Sequence, residues 1–208
     1  MKFAPEGYPF IASFAGVTVL LAFAGGPWLA APGVVLCLFM AYFFRDPERS
    51  VPGGGDLFVS PADGKILLVR QEYDADHLQQ EGIEVSIFMS PLDVHVNRAP
   101  CDGSVVAVVP KAGKFLSAFK PEASLVNQSI SMVLQTEYGK ILVRQVAGFV
   151  ARRAVCRVKP GETLRRGDRY GIIKFSSRVD IYLPKETEIR VKVGDRVKAG
   201  ETVLGVVR

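Results

Sequence analysis

The stretch Lys174-Phe175-Ser176-Ser177-Arg178-Val179-Asp180-Ile181-Tyr182-Leu183 places a hydroxyl where its own pattern calls for hydrocarbon. Successive side chains of a strand point to opposite faces, so Ile173, Phe175, Ser177, Val179, Ile181 and Leu183 share one side, with Ser176, Arg178, Asp180 and Tyr182 on the other. A buried hydroxyl without a partner costs roughly 1–3 kcal/mol, so Ser177 needs an acceptor or a chemical task. Two readings stay open: a serine bonded to a neighbouring carbonyl in an ordinary strand, or a nucleophile.

Only two histidines are present, His77 and His95. His77 lies in a polar stretch, Asp74 to Gln80, and reads as a surface residue. His95 sits between two prolines in Ser90-Pro91-Leu92-Asp93-Val94-His95-Val96-Asn97-Arg98-Ala99-Pro100. It is the natural proton carrier near neutral pH, with a bond to a backbone carbonyl as the structural alternative. Asp63, in Ser60-Pro61-Ala62-Asp63-Gly64, stands at a tight turn of a kind that Asp-Gly pairs often make for structural reasons alone. Distant histidines and scattered carboxylates predict no metal site, and no phosphate-binding loop or dinucleotide fingerprint occurs.

These residues need a scaffold, and the 208-residue chain spends its apolar content unevenly. From Gly7 to Phe44 no residue is charged, and two apolar runs, Pro9 to Gly25 and Trp28 to Phe44, flank Gly26-Pro27. Each run, about 17 residues, would make a helix of roughly 25 Å against a hydrocarbon core of about 30 Å. The expectation is an apolar helical hairpin over residues 1–50, dipping into one leaflet or crossing twice with both ends cytoplasmic. Lys2, Arg45 and Arg49 place positive charge on one side, as either arrangement requires, and point to the cytoplasmic face of the cell membrane. A cleaved signal peptide fits less well, because the apolar region is doubled behind a single lysine. Val51-Pro52-Gly53-Gly54-Gly55 then forms a joint to a second domain, residues 51–208. A net charge of +5, without an aromatic-interleaved basic patch, favours an anionic membrane surface over nucleic acid. Cys37, Cys101 and Cys156 lack metal-ligand spacing and read as reduced thiols.

Beyond the joint, short Val- and Ile-rich runs alternate with Gly, Pro and Asp. Strands are predicted over 65–70, 84–89, 104–109, 131–135, 140–146, 153–158, 171–175 and 178–183, with short helical or irregular pieces over 73–80 and 114–124. The class is mostly β with a minor α component, as two packed sheets or a flattened barrel. One internal repeat appears, Lys159 to Gly167 echoed by Val193 to Val203, with equal Gly-to-Gly intervals. It looks like the turn-strand unit of biotinyl and lipoyl carrier sandwiches. An acyl-carrier-like module is therefore one reading, although no lysine stands at a hairpin tip.

Five motifs in order make the pattern specific: Phe43-Phe44-Arg45-Asp46-Pro47-Glu48-Arg49, Ser60-Pro61-Ala62-Asp63-Gly64, Asp93-Val94-His95-Val96-Asn97-Arg98, Ala147-Gly148-Phe149-Val150-Ala151-Arg152-Arg153 and Phe175-Ser176-Ser177-Arg178-Val179-Asp180. Over nearly its full length the chain resembles the short form of the pyruvoyl-dependent phosphatidylserine decarboxylases. The resemblance implies a proenzyme that cuts itself between Ser176 and Ser177, leaving a β chain of residues 1–176 and an α chain of residues 177–208. Ser177 would become a pyruvoyl group that forms a Schiff base with the phosphatidylserine amine, and phosphatidylethanolamine would be released. Asp63 resembles the maturation aspartate and His95 a histidine of proton transfer. Arg98 stands as a substrate-binding candidate, and assembly into a homo-oligomer is an open expectation. Three departures accompany the match: Ser176 replaces the usual glycine, Arg98 stands where longer relatives carry a second histidine, and of an acidic run near Ser124 to Ile130 only Asn127 is kept. An uncleaved, non-catalytic membrane-bound relative is the alternative these departures raise.

Overall fold

Gly25 and Gly26 break the apolar segment, at φ −150° and φ +74° respectively, where a continuous helix cannot pass. The computed structural model describes residues 2–74, 76–119, 122–148, 153–174 and 177–207. The chain divides into two compact units, Met1–Glu48 and Arg49–Arg208. In the first, β1 (Lys2–Phe3) leads through a short turn to α1 (Tyr8–Phe43), followed by β2 (Arg45–Asp46). The break splits α1 into two legs that return on each other. A Cβ at Gly33 would come 2.4 Å from Thr18 Oγ1, and Cys37 Sγ lies 3.8 Å from the Ile11 carbonyl. The open end is tied by β1 pairing with β2, by the Ala4 N–H donating to Phe44 O at 2.8 Å, and by Phe10 stacking on Phe44. Phe23 and Trp28, beside the break, are 87% and 88% exposed. Residues Pro5–Phe43 are long and apolar enough to cross a membrane.

The second unit contains β3 (Leu57–Val59), β4 (Gly64–Asp74), β5 (Gln80–Met89), β6 (Val96–Arg98), β7 (Gly103–Lys111) and a single helical turn, α2 (Ala123–Val126). It continues with β8 (Ser129–Thr136), β9 (Gly139–Ala147), β10 (Arg153–Cys156), β11 (Thr163–Leu164), β12 (Arg169–Lys174) and β13 (Ser177–Pro184). Last come β14 (Thr187–Ile189), β15 (Arg196–Val197) and β16 (Val203–Val207). Eight strands form one curled antiparallel sheet in the order β11-β7-β8-β9-β13-β5-β4-β15, and two three-stranded sheets, β10-β12-β6 and β14-β16-β3, complete the unit. The mostly β class and the apolar hairpin thus stand. The large β component is one curled sheet, a half-barrel, with two small sheets contributing to its core.

That core takes Ile66, Val85, Ile87, Met132, Leu134, Ile141, Val143, Val179, Ile181 and Leu183 from the large sheet, with Phe58, Tyr170, Ile173 and Leu204 from the small ones. Of the inward row expected along residues 173–183, Ile173, Ser177, Val179, Ile181 and Leu183 are buried, and the two strands expected over 171–175 and 178–183 lie in different sheets: β12 ends at Lys174 in one and β13 begins at Ser177 in another. Phe175 and Ser176 lie outside the described residues. Of the two forms expected over 73–80, helical or irregular, the structure has the irregular one: the turn from β4 to β5, where the Asp74 carboxylate accepts the His77 and Leu78 N–H groups. Of the piece expected over 114–124, only α2 is helical.

The glycine repeat has a structural counterpart. Gly161 and Gly167 in one copy, Gly194 and Gly200 in the other, all have positive φ. The Gly161 N–H donates to Val105 O and the Gly194 N–H to Ile66 O, while Gly167 and Gly200 donate to Ala99 O and Ser60 O. The repeated loops contribute β11, which pairs with β7, and β15, which pairs with β4, so they close opposite edges of the large sheet. Their partners repeat as well: Pro61-Ala62-Asp63-Gly64 before β4 corresponds to Pro100-Cys101-Asp102-Gly103 before β7. The irregularities between Ile66 and Leu68 and between Val105 and Ala107 match in kind and place.

Since Ile181 is fully buried in the strand bonded to both β5 and β9, Ile181→Ala should cost about 2–5 kcal/mol. Urea unfolding of the full chain in detergent, followed by tryptophan-independent circular dichroism, measures it.

Candidate active site

Ser177 opens β13 with Met89 of β5 opposite it on one side and Ala147 of β9 on the other. It is fully buried, and its hydroxyl lies 3.3 Å from Met89 Sδ. A thioether is a weak acceptor, so this contact leaves the hydroxyl far less satisfied than the carbonyl bond of an ordinary strand serine would. Behind the sulfur, Asn97 Nδ2 approaches at 3.8 Å and Asn97 Oδ1 accepts from Gln145 Nε2 at 2.8 Å, which also donates to Val155 O. The start of β13 therefore rests on a buried polar relay ending in sulfur rather than on a charge.

His95 precedes β6, is fully buried, and has Nδ1 2.9 Å from the Asp93 carbonyl. Its own carbonyl accepts the Ile173 N–H at 3.4 Å, which fastens the histidine loop to β12, the strand leading toward residue 176. Asp93 in turn accepts the Ser90 N–H and hydroxyl and so shapes that loop.

Asp63 comes from the turn before β4. The Gly64 that follows it is required by close approach, since a Cβ there would stand 2.1 Å from Phe88 O, one residue before Met89. The Asp63 carboxylate accepts Arg49 Nη2 on both oxygens at 2.9 and 2.7 Å and the Ala199 N–H at 2.7 Å. Burial pushes the Asp63 carboxyl above its ordinary value, with the Ala199 N–H and the Arg49 guanidinium offsetting part of that push. The repeat separates two components here. Asp102 likewise accepts a loop N–H, from Arg166 at 2.6 Å, so an amide bond belongs to the turn as such, whereas the Arg49 fork is recorded at Asp63.

Arg98 is buried and donates Nη1 to Gly167 O at 2.9 Å, while its N–H bonds Pro61 O. It thereby links the Asp63 turn to the first repeat loop. Asn127 is a clamp: its Nδ2 donates to Leu116 O and Ala147 O, and its Oδ1 accepts the Leu116 N–H, all at 2.8 Å. Because Ala147 pairs with Ser177, the clamp fixes the segment around Leu116 to the strand beside the serine.

The opposite face of β13 carries the other half of the alternation. Arg178, Asp180 and Tyr182 point away from the core, and Arg178 and Tyr182 help to line a cavity of about 740 Å³ with Leu67, Tyr73, Phe119 and Arg144. Ser177 faces Met89 at one end of β5 and β13; Gly64, next to Asp63, packs against the Phe88 carbonyl at that end, and His95 is fastened to β12 through the Ile173 N–H. Sequence reasoning did not single out Met89, Arg49 or the Arg178 environment. The Pro-x-Asp-Gly echo was a signal available for the turn, but no local signal announces Arg49, which reaches Asp63 only through folding.

The phosphatidylserine decarboxylase family model matches residues 36–205. A phosphatidylserine decarboxylase proenzyme of Geotalea uraniireducens is 47% identical over 204 residues, covering 98% of this chain and 95% of that protein. The proenzyme of Syntrophus aciditrophicus is 45% identical, covering 97% and 96%, and that of Burkholderia mallei 44% identical, covering 97% and 93%.

Asn127→Leu removes the clamp and leaves buried groups at Leu116 and Ala147 to find other partners, which should cost about 1–3 kcal/mol. Hydrogen exchange at the Leu116 amide should quicken well before that of the β8–β9 amides.

Proposed function

Given that this chain belongs to the phosphatidylserine decarboxylase family, a family of carboxy-lyases, we propose that it is a self-cleaving precursor whose Ser177 furnishes a pyruvoyl group for decarboxylating phosphatidylserine. The observation that carries this reading is a fully buried hydroxyl at the head of a central strand, set against a thioether instead of a strong acceptor.

In this reading Ser177 Oγ attacks the carbonyl carbon of Ser176. The 176–177 amide bond breaks as an ester forms, and the hydroxyl proton passes to the released nitrogen. Loss of the residue-177 Cα proton then expels the carboxylate of Ser176 and divides the chain into residues 1–176 and 177–208. Water replaces the nitrogen of residue 177, ammonia leaves, and a ketone remains. Position 177 suits such a group, since a small uncharged ketone leaves no new charge in a fully buried site beside Met89. The pyruvoyl group supplies what no ordinary side chain offers, an electrophilic carbonyl conjugated to an amide that accepts the electron pair left when carbon dioxide departs.

The chain's own residues hold and move protons. Asp63, raised by burial and oriented by Arg49 and the Ala199 N–H, is the maturation carboxylate. His95, oriented through Nδ1 by the Asp93 carbonyl, carries protons through Nε2 during decarboxylation. Arg98 supports the Asp63 turn through its bonds to Gly167 and Pro61 and is the substrate-binding candidate of this segment. The apolar hairpin anchors the chain in the cytoplasmic leaflet, where its lipid substrate resides.

The test is the mass of the C-terminal fragment. A blocked chain starting at residue 177 and carrying a ketone is expected from wild type, with an intact band from Ser177→Ala; an intact wild-type band that turns over no lipid overturns the reading in favour of an uncleaved relative. Protonating Asp63 removes its capacity to accept a proton, so the self-cleavage rate should fall as pH drops through its raised value, above the ordinary 3.8. Asp63→Asn should slow cleavage by about 10²-fold or more and abolish that acid limb, read from band intensities against time across a pH series.

A further inference from the structure

Scission at residue 177 would create a chain end in the middle of the sheet, and free chain ends fray unless something ties them down. The residue immediately after that point is Arg178, 3% exposed, whose guanidinium is bonded through both Nε and Nη2. Its Nε donates to Asp180 Oδ1 at 2.5 Å, its Nη2 donates to Ser86 Oγ at 2.6 Å, and Glu84 Oε1 lies 3.6 Å from Nη2. Asp180 is held in turn from outside β13: Ser124 Oγ donates to its Oδ2 at 2.6 Å. The fork geometry of arginine fits this arrangement, in which one planar group meets a carboxylate and a hydroxyl at once.

The distribution of these partners along the chain gives the network its meaning. Arg178 and Asp180 lie after the 176–177 bond, while Glu84, Ser86 and Ser124 all lie before it. The cluster therefore joins the two prospective fragments by buried, charge-assisted contacts one to three residues from the cut. It occupies the face of β13 opposite Ser177, so it neither fills the site nor touches the reacting atoms. Before scission the covalent link to residue 176 adds to the strand ladders and the cluster that set the register of residue 177. Once that link is gone, the strand ladders to Met89 and Ala147 and this cluster are what remain among the described residues.

We propose that Arg178 is a positioning residue, a non-covalent staple that with Asp180, Glu84, Ser86 and Ser124 keeps the new end at residue 177 aligned once the chain is cut. The inference rests on the self-cleavage reading above and extends it: the staple is dispensable for cutting and needed for turnover.

The experiment compares wild type, Arg178→Lys and Ser124→Ala as full-length protein in detergent or phosphatidylserine-containing vesicles. Lysine keeps the charge but loses the fork, and Ser124→Ala loosens Asp180 without leaving a buried charge unpaired, so it serves if the lysine variant does not fold. Three quantities are read: the first-order rate of self-cleavage, kcat and KM per ketone-bearing chain by carbonyl labelling, and the urea concentration at which the 177–208 fragment separates from 1–176. The expected result is a cleavage rate within about twofold of wild type, kcat lowered roughly ten- to hundredfold with KM little changed, and fragment separation at lower urea. Unchanged kcat and fragment retention would overturn the staple. So would cleavage and turnover falling in proportion, since a general folding defect depresses both. A wild-type chain that never cleaves overturns the Ser177 reading itself, an outcome distinct from either variant's behaviour.

Discussion

The second unit depends on β13. All eight of its residues are buried, it is bonded to β5 and β9 on its two sides, and its alternating faces serve different purposes. Inward, Ser177, Val179, Ile181 and Leu183 complete the core; outward, Arg178 and Asp180 form an ion pair and Tyr182 packs with Val133 and Leu142. A register slip of one residue would exchange the faces, sending a guanidinium and a carboxylate into hydrocarbon. The outward ion pair thus enforces the register that sets Ser177 against Met89.

Much of this was legible in one dimension. The period-two pattern marked Ser177 as inward, the uncharged run from Gly7 to Phe44 with its central Gly-Gly-Pro marked the hairpin, and strand-forming residues between turn residues marked the β class. Where the reading fell short, the cause is physical. Alternation reports which side a residue faces and not which sheet it joins, so the separate runs 171–175 and 178–183 gave no sign that β12 and β13 take different partners. Periodicity over 73–80 could not separate a helical turn from a tight link between two long strands, because the Asp74 carboxylate capping the His77 and Leu78 amides would serve either.

The site shows a similar division. His95 and Asp63 were visible as a lone imidazole in a proline-bounded loop and an acid at an Asp-Gly turn. Arg49, Met89 and Glu84 were not, since each acquires its significance from a partner distant in sequence: Asp63, Ser177 and Arg178 respectively. The duplicated Pro-x-Asp-Gly turn helps to divide fold from function. Asp63 and Asp102 both accept a loop amide, so that bond builds the turn, and what distinguishes Asp63 is its burial and its pairing with an arginine.

The same duplication has a bearing on solubility. Because β11 and β15 are only two residues long, the strands that finish the large sheet at its two margins are themselves very short edges. A break at the tip of an interior strand adds two termini but no fresh border onto which a neighbouring molecule could zip. A chain severed along a marginal strand would instead expose a template for polymerisation.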